Sequence, residues 1–207
     1  MFITLEGPEG SGKTSHLKPL ADWLSAQGRI VHTTREPGGT EIGNQIREVL
    51  VSMKNGAMHP RTELLLFQAA RAQIVEQSLK PRLAAGEVVL CDRYFDSTLA
   101  YQGYGHNLFS LDEIRNLIGF ATDGLTPDLT ILLDLDVVLG LQRKGKTDEW
   151  NRLDAYTLDF HQRVRAGYHQ LVSLEPQRWR VIDASQPWET VQGALRNVIA
   201  SKIASHS

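Results

Sequence analysis

The residues Gly7-Pro8-Glu9-Gly10-Ser11-Gly12-Lys13-Thr14 satisfy the pattern G-x-x-x-x-G-K-[ST] at every fixed position. That spacing suits phosphate chemistry. Glycines let a loop turn so that successive backbone N–H groups face one small volume, and an open helix N-terminus adds its dipole there. Lys13 supplies a mobile positive charge for β- and γ-phosphates, and the Thr14 hydroxyl can ligate Mg²⁺. Gly-rich turns occur in many α/β proteins, so the flanking sequence decides. Phe2-Ile3-Thr4-Leu5 precedes the loop as a short apolar strand, and Leu17, Leu20, Ala21 and Leu24 follow it at helical spacing. A nucleoside triphosphate is therefore expected against Gly7, Pro8, Glu9, Gly10, Ser11, Gly12, Lys13 and Thr14.

Other polar signals recur at comparable places. Short apolar runs at 2–6, 30–34, 87–91, 128–134 and 179–183 alternate with helical patterns near 12–27, 40–52, 61–84, 94–103, 111–121, 136–144, 156–173 and 187–203. The alternation predicts an α/β fold, a five-stranded parallel sheet with helices on both faces. Arg35-Glu36-Pro37-Gly38-Gly39 follows the second strand, Asp92-Arg93 the third and Asp136 the fourth. The carboxyl ends of such strands converge on one crevice, so these elements are expected to form one composite site with the Gly-rich loop. Asp92 could share a Mg²⁺ shell with Thr14, and Arg93 could grip a second phosphate bidentately. An ordinary strand-end ion pair is the competing account of Asp92-Arg93.

Composition narrows the choice. The 207 residues suit a single domain, 1–207, able to bury a sizeable core. Lysine and arginine total 22 against 24 aspartate and glutamate, a formal charge of −2. That balance predicts no nucleic-acid partner and no anionic membrane surface. The single cysteine, Cys91, ends the apolar run Val88-Val89-Leu90 and excludes an internal disulfide framework; it is expected as a buried structural thiol. No apolar segment is long enough to span a bilayer, and Glu6 interrupts the N-terminal apolar run, so no signal peptide is expected and the cytoplasm is the expected location. Histidines 16, 32, 59, 106, 161, 169 and 206 show no metal-ligand spacing. Ser11 and Thr14 fit the phosphate loop better than a hydrolytic triad.

The run Asp92-Arg93-Tyr94-Phe95-Asp96-Ser97-Thr98-Leu99-Ala100-Tyr101-Gln102 resembles the D-R-Y-x-x-S-x-x-A-Y-Q signature of the thymidylate kinases. Arg35-Glu36-Pro37-Gly38-Gly39-Thr40 is similar to that family's R-E-P-G-G-T loop. Glu63-Leu64-Leu65-Leu66-Phe67 with Ala70-Arg71-Ala72-Gln73 resembles its nucleoside-binding helix, and Val181-Ile182-Asp183-Ala184-Ser185 its late strand and loop, which brings Ala184 near the adenine of ATP. The resemblance runs in order from residue 2 to about 200. It implies an ATP-dependent, Mg²⁺-assisted phosphorylation of dTMP to dTDP by a homodimer, with parts of 40–52 and 61–84 at the subunit contact. It further implies that Phe67 stacks on thymine while Arg71 bonds a base carbonyl. Arg93 would hold the dTMP phosphate, and Tyr101 would pack by the deoxyribose and crowd out a 2′-hydroxyl. Ser97 and Gln102 would line the base edge, and Glu9 would accept from the 3′-hydroxyl.

Residues from about 140 to 155 read as a short cationic lid, Leu141-Gln142-Arg143-Lys144-Gly145-Lys146-Thr147 followed by Asn151-Arg152-Leu153-Asp154. A solvated surface loop is the bland alternative. As a lid, its cations would meet the charge spread over the transferring phosphoryl oxygens. Relatives whose phosphate loop lacks an arginine usually carry arginines in the lid; here lysines share the place, and the family's D-R-x-E appears as Asn151-Arg152-Leu153-Asp154. Lys13, Arg93, Arg143 and Arg152 are the expected catalytic cations, with Arg143 facing inward more than Lys144. The acceptor oxygen already belongs to a phosphate, so alignment and charge stabilisation would carry catalysis. A deoxynucleoside kinase would need a carboxylate base at a 5′-hydroxyl. A GTPase-like switch would carry N-K-x-D, which is absent.

Overall fold

A computed structural model describes residues 1–146 and 150–205. Thr147, within the expected lid, and His206 lie outside the described residues. Five strands form one sheet: β1 (Phe2–Glu6), β2 (Val31–Arg35), β3 (Val88–Asp92), β4 (Leu129–Asp134) and β5 (Trp179–Asp183). Their order is β2-β3-β1-β4-β5, and every pairing is parallel, with Thr4 opposite Cys91 on one side and Thr130 on the other. Central β1 and β3 are buried at every residue, which is why they read as continuous apolar runs rather than as alternation.

The two-residue side-chain period divides the core between the faces of the sheet. Phe2, Val89, Cys91 and Leu132 point to one face and pack with Leu64, Ile74, Tyr94, Tyr168 and Trp179. Ile3, Leu5, Val88, Leu90 and Ile131 point to the other and pack with Leu17, Leu20, Leu24, Val191 and Leu195. The first face carries α3 (Pro60–Ile74), α6 (Leu111–Thr122) and α8 (Leu158–Leu174); the second carries α1 (Lys13–Ser25) and α9 (Trp188–Ala204). Cys91 is buried as expected. Among the described residues, no helix is long and apolar enough to cross a membrane.

The remaining helices are α2 (Glu41–Val51), α4 (Lys80–Ala84), α5 (Phe95–Thr98) and α7 (Val137–Lys144). Two expected continuous helices are interrupted. The 61–84 pattern passes through a π-helical turn at Val75–Leu79, and the 94–103 pattern passes through another at Leu99–Gly105. A π turn inserts extra backbone and rotates the face that follows, so simple helical spacing misplaces side chains beyond it. Asp136 also departs from expectation. Its carboxylate accepts from Val138 N–H and Leu139 N–H at 3.0 and 3.1 Å and caps α7.

Candidate active site

The strand ends open into a cavity of about 600 Å³, beside a smaller one of about 400 Å³. The Gly-rich loop forms the floor between them. Gly10 and Gly12 take left-handed backbone angles, φ 70° and 86°, which residues with a Cβ resist. A Cβ on Gly10 would also collide with the carbonyl of Gly140, and one on Gly140 with the carbonyl of Glu9. Helix α7 is thus seated directly on the loop backbone.

Lys13 folds back over its own loop. Its Nζ donates to Gly7 O at 3.0 Å, Pro8 O at 2.9 Å and Ser11 Oγ at 3.1 Å. Burial, reinforced by Arg93, lowers its pKa to about 8, so the ammonium is held charged but eager for an anionic partner. The Thr14 hydroxyl donates to Asp92 Oδ2 at 2.5 Å, and both residues line the larger cavity. These hard oxygen donors fit Mg²⁺, which binds proteins through one or two such groups and completes its shell with phosphate and water. Among the described residues no cluster of three His, Cys, Asp or Glu side chains offers a fuller cage.

The smaller cavity is lined by Ser11, Ser15, His16, Ala184 and Trp188. Arg143 borders both cavities, and its Nη1 donates to Ala184 O at 3.0 Å. Arg143 and Lys144, both in the last turn of α7, border the larger cavity, so the expected contrast in their facing is not observed.

Across the larger cavity, Arg93 sits at the end of β3 with φ 68°, a left-handed angle costly for a side-chain-bearing residue. Its guanidinium is held on two sides. Nη1 donates to Ser97 Oγ and Tyr168 OH, each at 3.1 Å. Nη2 donates to Glu9 Oε1 at 2.8 Å and Tyr101 OH at 2.9 Å, and Tyr101 OH donates to Glu9 at 2.7 Å. Burial disfavours an ionised Glu9, but Arg93, Lys13 and the Tyr101 hydroxyl outweigh it and draw its pKa down to about 2. Behind this group lies Glu6, fully buried at the end of β1. Burial and the nearby Asp96 raise its pKa to about 7 against the pull of Arg93.

Phe67 is half-buried on the cavity wall and belongs to neither core cluster. Arg71, one helical turn on, is almost wholly buried. It donates to Glu36 Oε2, Gln68 Oε1, Thr98 Oγ1 and Tyr94 O, with a second contact to Glu36 Oε2 through Nη2 at 2.7 Å. Those contacts occupy its five N–H donors, so a base carbonyl must displace one of them. Gln102 borders the same cavity and donates to Glu63 Oε1 at 2.8 Å.

Arg152 requires a correction. It does not border the crevice. Its Nε donates to Leu50 O at 2.8 Å, Nη1 to Tyr156 OH at 2.9 Å and Nη2 to Glu63 Oε2 at 2.6 Å. Glu63 is fully buried and must be paired with a cation. Burial alone would raise its pKa, yet hydrogen bonds from His106, Tyr156, Gln102 and Arg152 hold it at about 2. With its guanidinium committed there, Arg152 ties the lid stem to α2 and α3.

Sequence reasoning gave no part in the site to Glu6 or Tyr168, and named Glu36, Glu63 and Asp154 only as members of their motifs, without a role of their own. Asp154 borders the crevice, and burial together with Glu9 raises its pKa to about 6. One signal was available: Glu6 closes an apolar run and Glu63 opens one, and a carboxylate buried at such an edge demands a partner.

Comparison with known proteins bears on what this geometry serves. The family model described as thymidylate kinase matches residues 5–195. The chain is 46% identical over 218 residues to a thymidylate kinase of Roseiflexus castenholzii, covering 99% of this chain and 95% of that one. It is 48% identical over 202 residues to one of Deinococcus radiodurans, covering 98% and 97%. A crystal structure of thymidylate kinase from Ehrlichia chaffeensis superposes with a TM-score of 0.77 at 33% identity, covering 96% and 98%.

Proposed function

The chain belongs to the thymidylate kinase family, and from that premise we infer how its residues share the work of its reaction. It transfers the γ-phosphate of ATP to dTMP, giving dTDP. One observation supports the division of labour: two cations suited to phosphate, Lys13 and Arg93, face one crevice, where Glu9 pairs with Arg93 and is further stabilised by the charge of Lys13.

ATP lies with its phosphates on the loop from Gly7 to Thr14 and its base toward Ala184 and the smaller cavity. dTMP lies with thymine on Phe67 and near Arg71, Ser97 and Gln102, its sugar against Tyr101 and its phosphate on Arg93. Lys13 exchanges its backbone carbonyl partners for phosphate oxygens. Thr14 and Asp92 would hold Mg²⁺, which would supply charge neutralisation to the phosphates of the donor. The dTMP phosphate oxygen is already a nucleophile. Lys13, Arg93 and Arg143 align the donor and acceptor groups and stabilise the charge that develops between them.

Glu9 accepts from the 3′-hydroxyl of dTMP. A carboxylate held near pKa 2 is a poor proton acceptor, which counts against a deoxynucleoside kinase in which it would activate a 5′-hydroxyl. ADP release with ATP and Mg²⁺ decides: turnover is expected with dTMP and absent with thymidine, and turnover with thymidine alone would reject the assignment.

We also assign the protein to the cytoplasm and to a homodimer. The latter is supported by exposed Ile42 and Val49 on α2, Leu65 on α3 and Phe120 on α6. Sedimentation should give a dimer that Leu65→Glu weakens.

A further inference from the structure

We propose that Glu6 is a positioning residue for the acceptor phosphate, fixing the roll of the Arg93 guanidinium through the hydroxyls of Ser97 and Tyr168. The proposal rests on the assignment of Arg93 to that phosphate.

Glu6 has no opening to the crevice and cannot touch a substrate. Its Oε1 accepts from Tyr94 N–H at 2.7 Å, which fixes the carboxylate against the backbone just after Arg93. Its Oε2 accepts from Ser97 Oγ at 2.6 Å and from Tyr168 OH at 2.8 Å. Each hydroxyl owns a single proton. The two oxygens lie 2.9 Å apart and could otherwise donate to one another. A shared carboxylate draws both protons to itself and leaves lone pairs on both oxygens. Arg93 Nη1 carries two protons and stands 3.1 Å from each oxygen. Both are thereby taken, and Nη2 is left toward Glu9 and Tyr101 on the crevice side. The arrangement needs an acceptor without protons at Oε2. That is a property of a carboxylate and not of an amide.

Charge and position make opposite predictions. As a charge, an anionic Glu6 repels the incoming phosphate, and removing it would tighten dTMP binding. As a positioning group, its loss frees the guanidinium and weakens dTMP binding. Glu6→Gln keeps the shape. If its carbonyl stays on Tyr94 N–H, its NH₂ donates to the two hydroxyls, competes with Arg93 for their lone pairs and strands their protons. The reverse orientation opposes two donors at Tyr94.

The test measures Kd by calorimetry at about pH 8, above the value of about 7 to which burial raises Glu6, so that its carboxylate is ionised. The ligands are dTMP, thymidine, which lacks the phosphate, and ATP, and the proteins are wild type, Glu6→Gln, Tyr168→Phe and Arg93→Ala. Glu6→Gln is expected to weaken dTMP about tenfold, the scale of one charged hydrogen bond, and to leave thymidine and ATP unchanged. Tyr168→Phe removes one hydroxyl without changing charge and should weaken dTMP alone by about threefold. If Glu6→Gln does not fold, unchanged dTMP binding in Tyr168→Phe overturns the proposal by itself. Tighter or unchanged dTMP binding overturns the proposal, as does an equal loss for thymidine. Arg93→Ala separates the two levels. If it spares the preference for dTMP over thymidine, the assignment of Arg93 fails and the proposal with it. If it removes that preference while Glu6→Gln and Tyr168→Phe keep it, only the role of Glu6 fails.

Discussion

The two halves of the crevice, which we assign to donor and acceptor, are built from different materials. On the donor side the phosphate floor is backbone, made of loop amides, left-handed glycines and a lysine satisfied largely by its neighbours' carbonyl oxygens, and side chains such as His16 and Trp188 enter only around the smaller cavity. The acceptor side is made of interlocked side chains anchored by carboxylates: Arg93 by the partly buried Glu9 and by the hydroxyl partners of buried Glu6, Arg71 by buried Glu36, Gln102 by buried Glu63. Backbone suits a ligand part that is the same in every nucleoside triphosphate. Side chains suit the part that must be told from its analogues, because a polar group left unpaired by the wrong ligand is costly. The difference predicts that damage on the acceptor side spreads into stability, while damage on the donor side stays in the chemistry.

Arg152→Ala should show the spread most strongly. It leaves Glu63 buried without its cation, and breaking such a pair costs about 3–5 kcal/mol. Chemical denaturation should show that loss. An unchanged midpoint, with kcat reduced instead, would restore Arg152 to the lid chemistry.

The same carboxylate sets a pH signature. Glu63 has a folded pKa near 2, below its ordinary value of 4.5. Its stabilising contribution is therefore complete above about pH 4.5 and is lost as pH falls toward 2, a total of about 3 kcal/mol. The difference in denaturation midpoint between wild type and Glu63→Gln should shrink across that window. A difference constant from pH 6 to pH 2.5 would mean that Glu63 carries no such linkage.

Lys13→Ala and Arg93→Ala sharpen the contrast within catalysis. Each removes charged hydrogen bonds worth roughly 1.5–3 kcal/mol, about ten- to 150-fold. Lys13→Ala should reduce kcat and leave KM for dTMP near normal. Arg93→Ala should raise KM for dTMP. Exchange of these two patterns would reverse the assignment of donor and acceptor.

Arg143→Ala should give the smallest effect, about tenfold in kcat with little change in KM for ATP or in stability, as for an interaction made mainly in the transition state. A loss confined to KM for ATP would make Arg143 a docking residue.

The two halves were also unequally legible in the sequence. The phosphate loop is read from its own residues because its function is local backbone geometry, and the buried strands follow from apolar runs of the right length. The helix at 61–84 and that at 94–103 were legible as helices, but no spacing rule reveals a π turn. Arg152 shows the deeper limit. An arginine that meets a phosphate and one that meets a buried carboxylate look alike in a sequence. Only the approach of Glu63, 89 positions away, decides between them. Glu6 was passed over for the related reason that both of its hydroxyl partners, Ser97 and Tyr168, come from distant segments.

The seat of α7 on the phosphate loop has its own consequence. Gly10 and Gly140 touch so closely that neither can accept even a methyl group, so the two positions form a single unit of exchange. A side chain at either one lifts the helix, draws Arg143 from the Ala184 carbonyl and widens the passage between the two cavities.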